Sequence, residues 1–154
     1  MAVSDLLSAE DIRLDLGAST KKQALQTLAD FAGARAELDG RAIFEAVLER
    51  ERLGSTGVGS GVGIPHARVE ATPKVRGFFA RLDPAVEFDA MDGQPVDLVF
   101  LLLAPEDAGA DHLKALARVS RLLRRDEVRE QLRAAPTAEA VHAILSGSAQ
   151  TDAA

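Results

Sequence analysis

Val96-Asp97-Leu98-Val99-Phe100-Leu101-Leu102-Leu103 is the densest apolar run in the chain. Its apolar residues are nearly continuous instead of alternating, which predicts a strand covered on both faces at the centre of a sheet. The run is far short of the ~20 residues that span a bilayer. Upstream, Val75–Leu82 (VRGFFARL) is strand-like, and the turn at Asp92–Gly93 makes Val86–Phe88 a further strand or hairpin arm. Asp11–Leu16 alternates polar and apolar residues as a half-buried strand does. Helical spacing fills the intervals. Ser19 is the expected cap of a helix carrying Ala24, Leu25, Leu28, Phe31 and Ala32, and Asp39–Gly40 open a second with Ile43, Phe44, Val47 and Leu48 on one face. Asp111 is the expected cap of a helix over 112–124, with Leu113, Leu116, Ala117, Ser120 and Leu123 as its inner stripe. Asp126 and Thr137 begin two more. Strands and helices in alternating blocks argue for one α/β sheet covered by helices.

The 154 residues suit a single domain by the usual prior of roughly 100–200 residues each. We expect that domain over 1–147; the tail 148–154 has nothing to bury and is expected to be loose. Hydrophobic residues at 47% and charged residues at 27% exclude a mainly disordered chain. With no cysteine, disulfides, thiolate metal sites and cysteine nucleophiles are excluded. Asp5, Glu10 and Asp11 stand where a signal peptide needs a basic start, so a cytoplasmic address without membrane insertion is expected. Eighteen basic against 24 acidic residues give −6, and the only aromatics are six Phe. A nucleic-acid partner is therefore not expected, since both the basic surface and the stacking platform are missing.

The chemistry is sought in Gly54–Gly63, GSTGVGSGVG, which runs into Ile64-Pro65-His66. Gly54 and Gly59 have the spacing of a phosphate-binding P-loop, but Ser60–Gly61 follow where lysine is required. The dinucleotide fingerprint fails as well, because its third glycine would fall on Val62 or Ile64. On a bland reading the glycines only permit tight turns. On a functional one they strip side chains from around His66 so that another protein can approach it, while Pro65 stiffens the backbone just before the ring. The three histidines show no H-x-x-x-H or carboxylate spacing, so no metal is expected.

Arg50-Glu51-Arg52-Leu53-Gly54-Ser55-Thr56-Gly57, then Gly59, Gly61 and Ile64-Pro65-His66, resemble the active-site region of the phosphotransferase-system IIA domains of the fructose/mannitol class. Phe88–Asp107 (FDAMDGQPVDLVFLLLAPED), followed by Asp111-His112-Leu113, is similar to the nitrogen-regulatory branch of that class. The resemblance runs from about Ser4 to Leu145. It departs at Ser60, Gly63 and Ala67, where the family commonly has Asn, Ala and often Gly. It implies a mixed sheet of about four or five strands with helices packed on it, and a phosphotransferase component without a cofactor. An HPr-like phosphocarrier protein would donate a phosphoryl group to His66, with Arg50 and His112 assisting, and the group would serve a downstream regulatory target or a IIB protein. The expected function is a nitrogen-related regulatory carrier; a sugar-transport IIA subunit and a binding module that is never phosphorylated are the alternatives.

The chemistry suits these residue types. An imidazole's ordinary pKa of about 6.5 leaves a nucleophilic neutral fraction near pH 7. Phosphoryl transfer needs positioned donors more than a strong base. Arg50 supplies a planar fork, and His112 begins a helix whose free amides favour anions. Arg50 is also readable as a solvated helix-end charge, and His112 as an ordinary helix-start residue. Ser55 and Thr56 are candidates to bind the phosphoryl group or to hold the loop together. Arg68 is a candidate for the docking rim. His142 is expected to be a surface or packing residue.

Overall fold

The computed structural model describes the backbone of residues 2–153 and side-chain surroundings over 2–147; the tail 148–154, expected to be loose, lies outside the described side chains. β6 (Val96–Ala104) is the central strand. On one side it pairs antiparallel with β5 (Arg76–Val86), which pairs parallel with β1 (Ile12–Leu16). On its other side it pairs parallel with two short strands in succession, β3 (Val62–Gly63) and β4 (His66–Arg68). β2 (Gly57–Gly59) closes that edge as an antiparallel partner of β3. The sheet is mixed, as expected, but has six strands rather than four or five. The additional pairing lies in the glycine-rich stretch, where two- and three-residue strands carry too few side chains to show a period.

Period-2 alternation divides β6 between two cores. Leu98, Phe100, Leu102 and Ala104 face α3 (Ala110–Leu123), α4 (Asp126–Ala134) and α5 (Ala138–Ala153). Val99, Leu101 and Leu103 face α1 (Lys21–Ala36) and α2 (Gly40–Arg52). Covering both faces removes the polar side from the strand, hence an apolar run interrupted only by half-buried Asp97.

Several boundaries differ from expectation, each for a local reason. The cap of α1 is Thr20, whose side chain accepts from the Gln23 amide, while Gln23 Oε1 accepts from the Ser19 amide at 2.7 Å. Two adjacent hydroxyls compete there, and the reciprocal pair selects the second. Val86 belongs to β5, because pairing with β6 resumes at Val86↔Val96 after a register shift, while Phe88 lies beyond the strand. α3 starts at Ala110 with Gly109 as its cap, so Asp111 is inside the helix. Its buried residues are His112, Ala115, Val119, Leu122 and Leu123, and Leu113 is 66% exposed. Asp39 and Thr137 cap α2 and α5 as expected, accepting from the Arg41 and Ala140 amides at 3.0 and 3.1 Å.

Candidate functional site

The carboxyl end of β6 gathers the candidates. His66, the first residue of β4, pairs with Leu102, and the Leu102 amide donates to Pro65 O at 3.0 Å. The chain leaving β6 turns into α3, whose third residue is His112. The His66 and His112 rings meet edge to face, with centroids 5.6 Å apart and planes at 74°. Arg50 comes from the last turn of α2 and Arg68 from the end of β4. His66, His112, Arg50, Arg68, Ala67 and Leu53 line one open pocket of about 370 Å³, together with Ala46 and Glu49.

His66 is half-buried, and its Nδ1 lies 2.9 Å from Ile64 O. A carbonyl oxygen only accepts, so Nδ1 carries the proton and the lone pair resides on Nε2. Pro65 keeps the intervening backbone stiff, which holds this carbonyl under its own histidine two residues on. His112 is 7% exposed, and its Nε2 is buried with no hydrogen-bond partner among the described residues. Burial lowers its pKa below the ordinary imidazole value, and the nearby His66 and Arg68 charges add to the shift. His112 is therefore neutral at pH 7. Arg50 Nη1 donates to Gly54 O at 2.9 Å, which folds the side chain back over the end of its own helix. Arg68 Nη1 makes a longer bond, 3.3 Å, to Glu106 O.

Ser55 and Thr56 do not line this pocket. The Ser55 hydroxyl donates to Phe88 O at 2.7 Å and accepts from the Gly57 amide at 3.0 Å. Thr56 is buried and directs both its amide and its hydroxyl at the Glu51 carboxylate. These bonds support the loop-holding reading of both residues. His142 sits apart on α5, with Nε2 3.1 Å from Leu7 O.

For the glycines the sequence left a bland and a functional reading open. None lines the His66 pocket. A Cβ at Gly57 would lie 2.9 Å from Ala90, and Gly61, at φ +79°, faces the Arg133 guanidinium and Asp97. Gly57 and Gly61 thus let the β2–β3 hairpin pack closely, which supports the bland reading for these two. Of the three departures, Ala67 alone reaches the pocket. Ser60 tops the hairpin, where its amide donates to Asp92 and its carbonyl accepts from Arg133; Gly63 lies against the Phe88 ring.

Three further features were not singled out from the sequence. Glu51 is a buried carboxylate ion-paired to Lys21 at 2.8 Å. Leu53 and Leu113, 83% and 66% exposed, stand respectively in the pocket wall and next to His112. An acid flanked by arginines at a helix end reads as solvated charge, and an apolar residue in a helical period reads as core. Only their isolation from both cores marks the two leucines as surface.

Comparison with known proteins agrees with this geometry. The family model of the phosphoenolpyruvate-dependent sugar phosphotransferase system, EIIA 2, matches residues 5–148. A nitrogen regulatory protein of Bradyrhizobium diazoefficiens is 53% identical over 146 residues, covering 95% of each chain. A fructose-specific EIIA component of the phosphotransferase system from Haloferax volcanii is 40% identical over 145 residues, covering 94% of each. The crystal structure of the nitrogen regulatory protein IIA-Ntr from Neisseria meningitidis superposes with a TM-score of 0.87 at 37% identity, covering 93% of this chain and 98% of that one. The chain belongs to the EIIA 2 family of the phosphoenolpyruvate-dependent sugar phosphotransferase system.

Proposed function

We propose that this protein is a phosphohistidine carrier of the nitrogen-regulatory kind, accepting a phosphoryl group on Nε2 of His66 from an HPr-like phosphocarrier protein. The observation that carries the reading is the 2.9 Å bond from Nδ1 to Ile64 O, which leaves Nε2 as the nucleophile in the pocket shared with Arg50 and His112. In the transfer, Nε2 attacks phosphorus as the donor's phosphorus–nitrogen bond breaks, and the donor ring takes back its electron pair. Nδ1 keeps its proton. No base, metal or nucleotide enters this step, because phosphate arrives already activated on its carrier. Arg50 supplies the guanidinium that meets charge developing on the equatorial oxygens. A phosphoryl oxygen would give buried Nε2 of His112 the partner it lacks. Neutral His112 has one ring N–H, which then points to that oxygen. Arg68 belongs to the rim on which the donor docks.

Among the described residues no helix is long and apolar enough to cross a membrane. The carrier works in the cytoplasm, where its phosphorylation state selects which regulatory target it binds. The test is incubation with phosphorylated HPr-type carrier. Wild type should acquire an acid-labile, base-stable label that His66→Ala loses while keeping its fold. Undiminished labelling of that variant would overturn the assignment, and an unlabelled wild type would favour a binding module.

The fructose-specific relative supports a second reading, transport, in which the group passes to a separate IIB protein. Deletion separates the two. Growth on fructose- and mannitol-type sugars should be unaffected; loss of growth on one sugar, restored by wild type and not by His66→Ala, would establish transport.

A further inference from the structure

We propose that Glu51, which touches neither the pocket nor the phosphoryl path, is the positioning residue that sets Arg50 and His66 in mutual register. The inference rests on the function proposed above. Glu51 occupies the last turn of α2, directly after Arg50, with a side chain 3% exposed. Its two oxygens take three donors: the Thr56 amide at 3.1 Å, the Thr56 hydroxyl, and the Lys21 ammonium at 2.8 Å. Lys21 is the first residue of α1 and also lies over the Phe88 ring, 4.7 Å from its centroid. The carboxylate thus ties the start of α1, the end of α2 and the following loop at one point.

Two hydrogen-bonded paths leave that point. In one, Glu51 and Thr56 close the turn over residues 51–56, and within it Gly54 O receives Arg50 Nη1 at 2.9 Å. In the other, Thr56 O accepts from the Ile64 amide at 3.0 Å, and Ile64 O holds His66 Nδ1 at 2.9 Å. One buried carboxylate therefore governs both the direction of the guanidinium fork and the tautomer of the nucleophile. A surface ion pair would be too loose for this. A buried carboxylate with both oxygens engaged fixes one arrangement.

Substitution has specific consequences. Glu51→Gln offers one acceptor oxygen to three donors and turns an amide N–H₂ toward one of them. Thr56→Val removes the hydroxyl and keeps the shape. Either change frees the 51–56 turn, and with it both reacting groups. Displacement of reacting groups by about an ångström costs on the order of a hundredfold in rate. We expect kcat for transfer from phosphorylated HPr-type carrier to fall at least about tenfold, with KM within about twofold, since the docking face is untouched. Thr56→Ser should restore the rate.

The ¹⁵N shifts of the His66 ring, read without any donor, give an independent signature. Wild type should show one tautomer, protonated at Nδ1; both variants should show a mixture, and Thr56→Ser should return the single form. A lowered melting temperature with wild-type kcat and an unchanged His66 tautomer would overturn the proposal. If wild type takes no phosphoryl group, the carrier function fails, and the tautomer comparison still decides the role of Glu51.

Discussion

His112 shows how burial assigns chemistry to a single residue. Its imidazole resists protonation because it is buried beside His66 and near Arg68. As pH falls below about 6.5, His112 takes up a proton in the unfolded chain before it does so in the folded one. Stability is therefore lost as pH falls from there through the depressed folded value. Denaturant titrations between pH 7.5 and 5 should show this loss, and His112→Asn should reduce it. Equal pH dependence in both proteins would place the shift elsewhere. Arg50 is tested by transfer rates. Arg50→Ala should slow phosphoryl acceptance by about a thousandfold, within the range known for well-placed arginines. Arg50→Lys should recover only part, because a point charge cannot reproduce the fork. Wild-type rates in both would make Arg50 a solvated helix-end charge. The order of their motifs was enough to single out His66, Arg50 and His112 as candidates, and the fold brings all three to one pocket. Glu51 was not legible in the sequence, because its partner Lys21 lies thirty positions upstream and charge spacing says nothing about burial.

Among the elements, α3 separates most clearly what periodicity supplies from what packing decides. Its sequence contains two overlapping stripes, 113–116–120–123, apolar but for Ser120, and 115–119–122, and a period of 3.6 accommodates either. The fold buries the second in full, with Val119 and Leu122 against β6, and from the first it buries Leu123 while leaving Leu113, next to buried His112, exposed to solvent. Leu122→Ala should cost about 2–5 kcal/mol by opening a cavity. Leu113→Ala should stay within about 0.5 kcal/mol, as surface changes do. Chemical denaturation of the two variants checks the phase of the helix, and the reverse order would contradict it. β6 was readable because its run carries the pattern of a strand covered twice. β2 and β3 were not, because a glycine-rich hairpin has no side-chain period and is defined by what crowds it, Ala90 and Arg133 among them.

At the scale of the whole molecule, two cores share one sheet, and the candidate site sits where that sheet ends. Strand β4 and helices α2 and α3 converge there, so the candidate site is assembled from 50, 66, 68 and 112. The chain as a whole carries −6, yet of the three charged side chains that line the pocket beside the histidines two, Arg50 and Arg68, are cationic and only Glu49 is acidic. A doubly negative phosphoryl group on His66 would be held by that local cationic pair, and it would reverse the charge seen by any partner facing the pocket. The α/β class and the order of elements were legible because alternating periods of 2 and 3.6 record burial directly. Strand number and the glycines' true neighbours depend on contacts between distant segments, which no local pattern contains. The central claim is the identity of the acceptor atom. Phosphorylate uniformly ¹⁵N-labelled protein with an HPr-type carrier and read phosphorus–nitrogen coupling in the histidine rings. We predict coupling to Nε2 of His66 alone; coupling to Nδ1, or to a ring nitrogen of His112 or His142, would contradict the account.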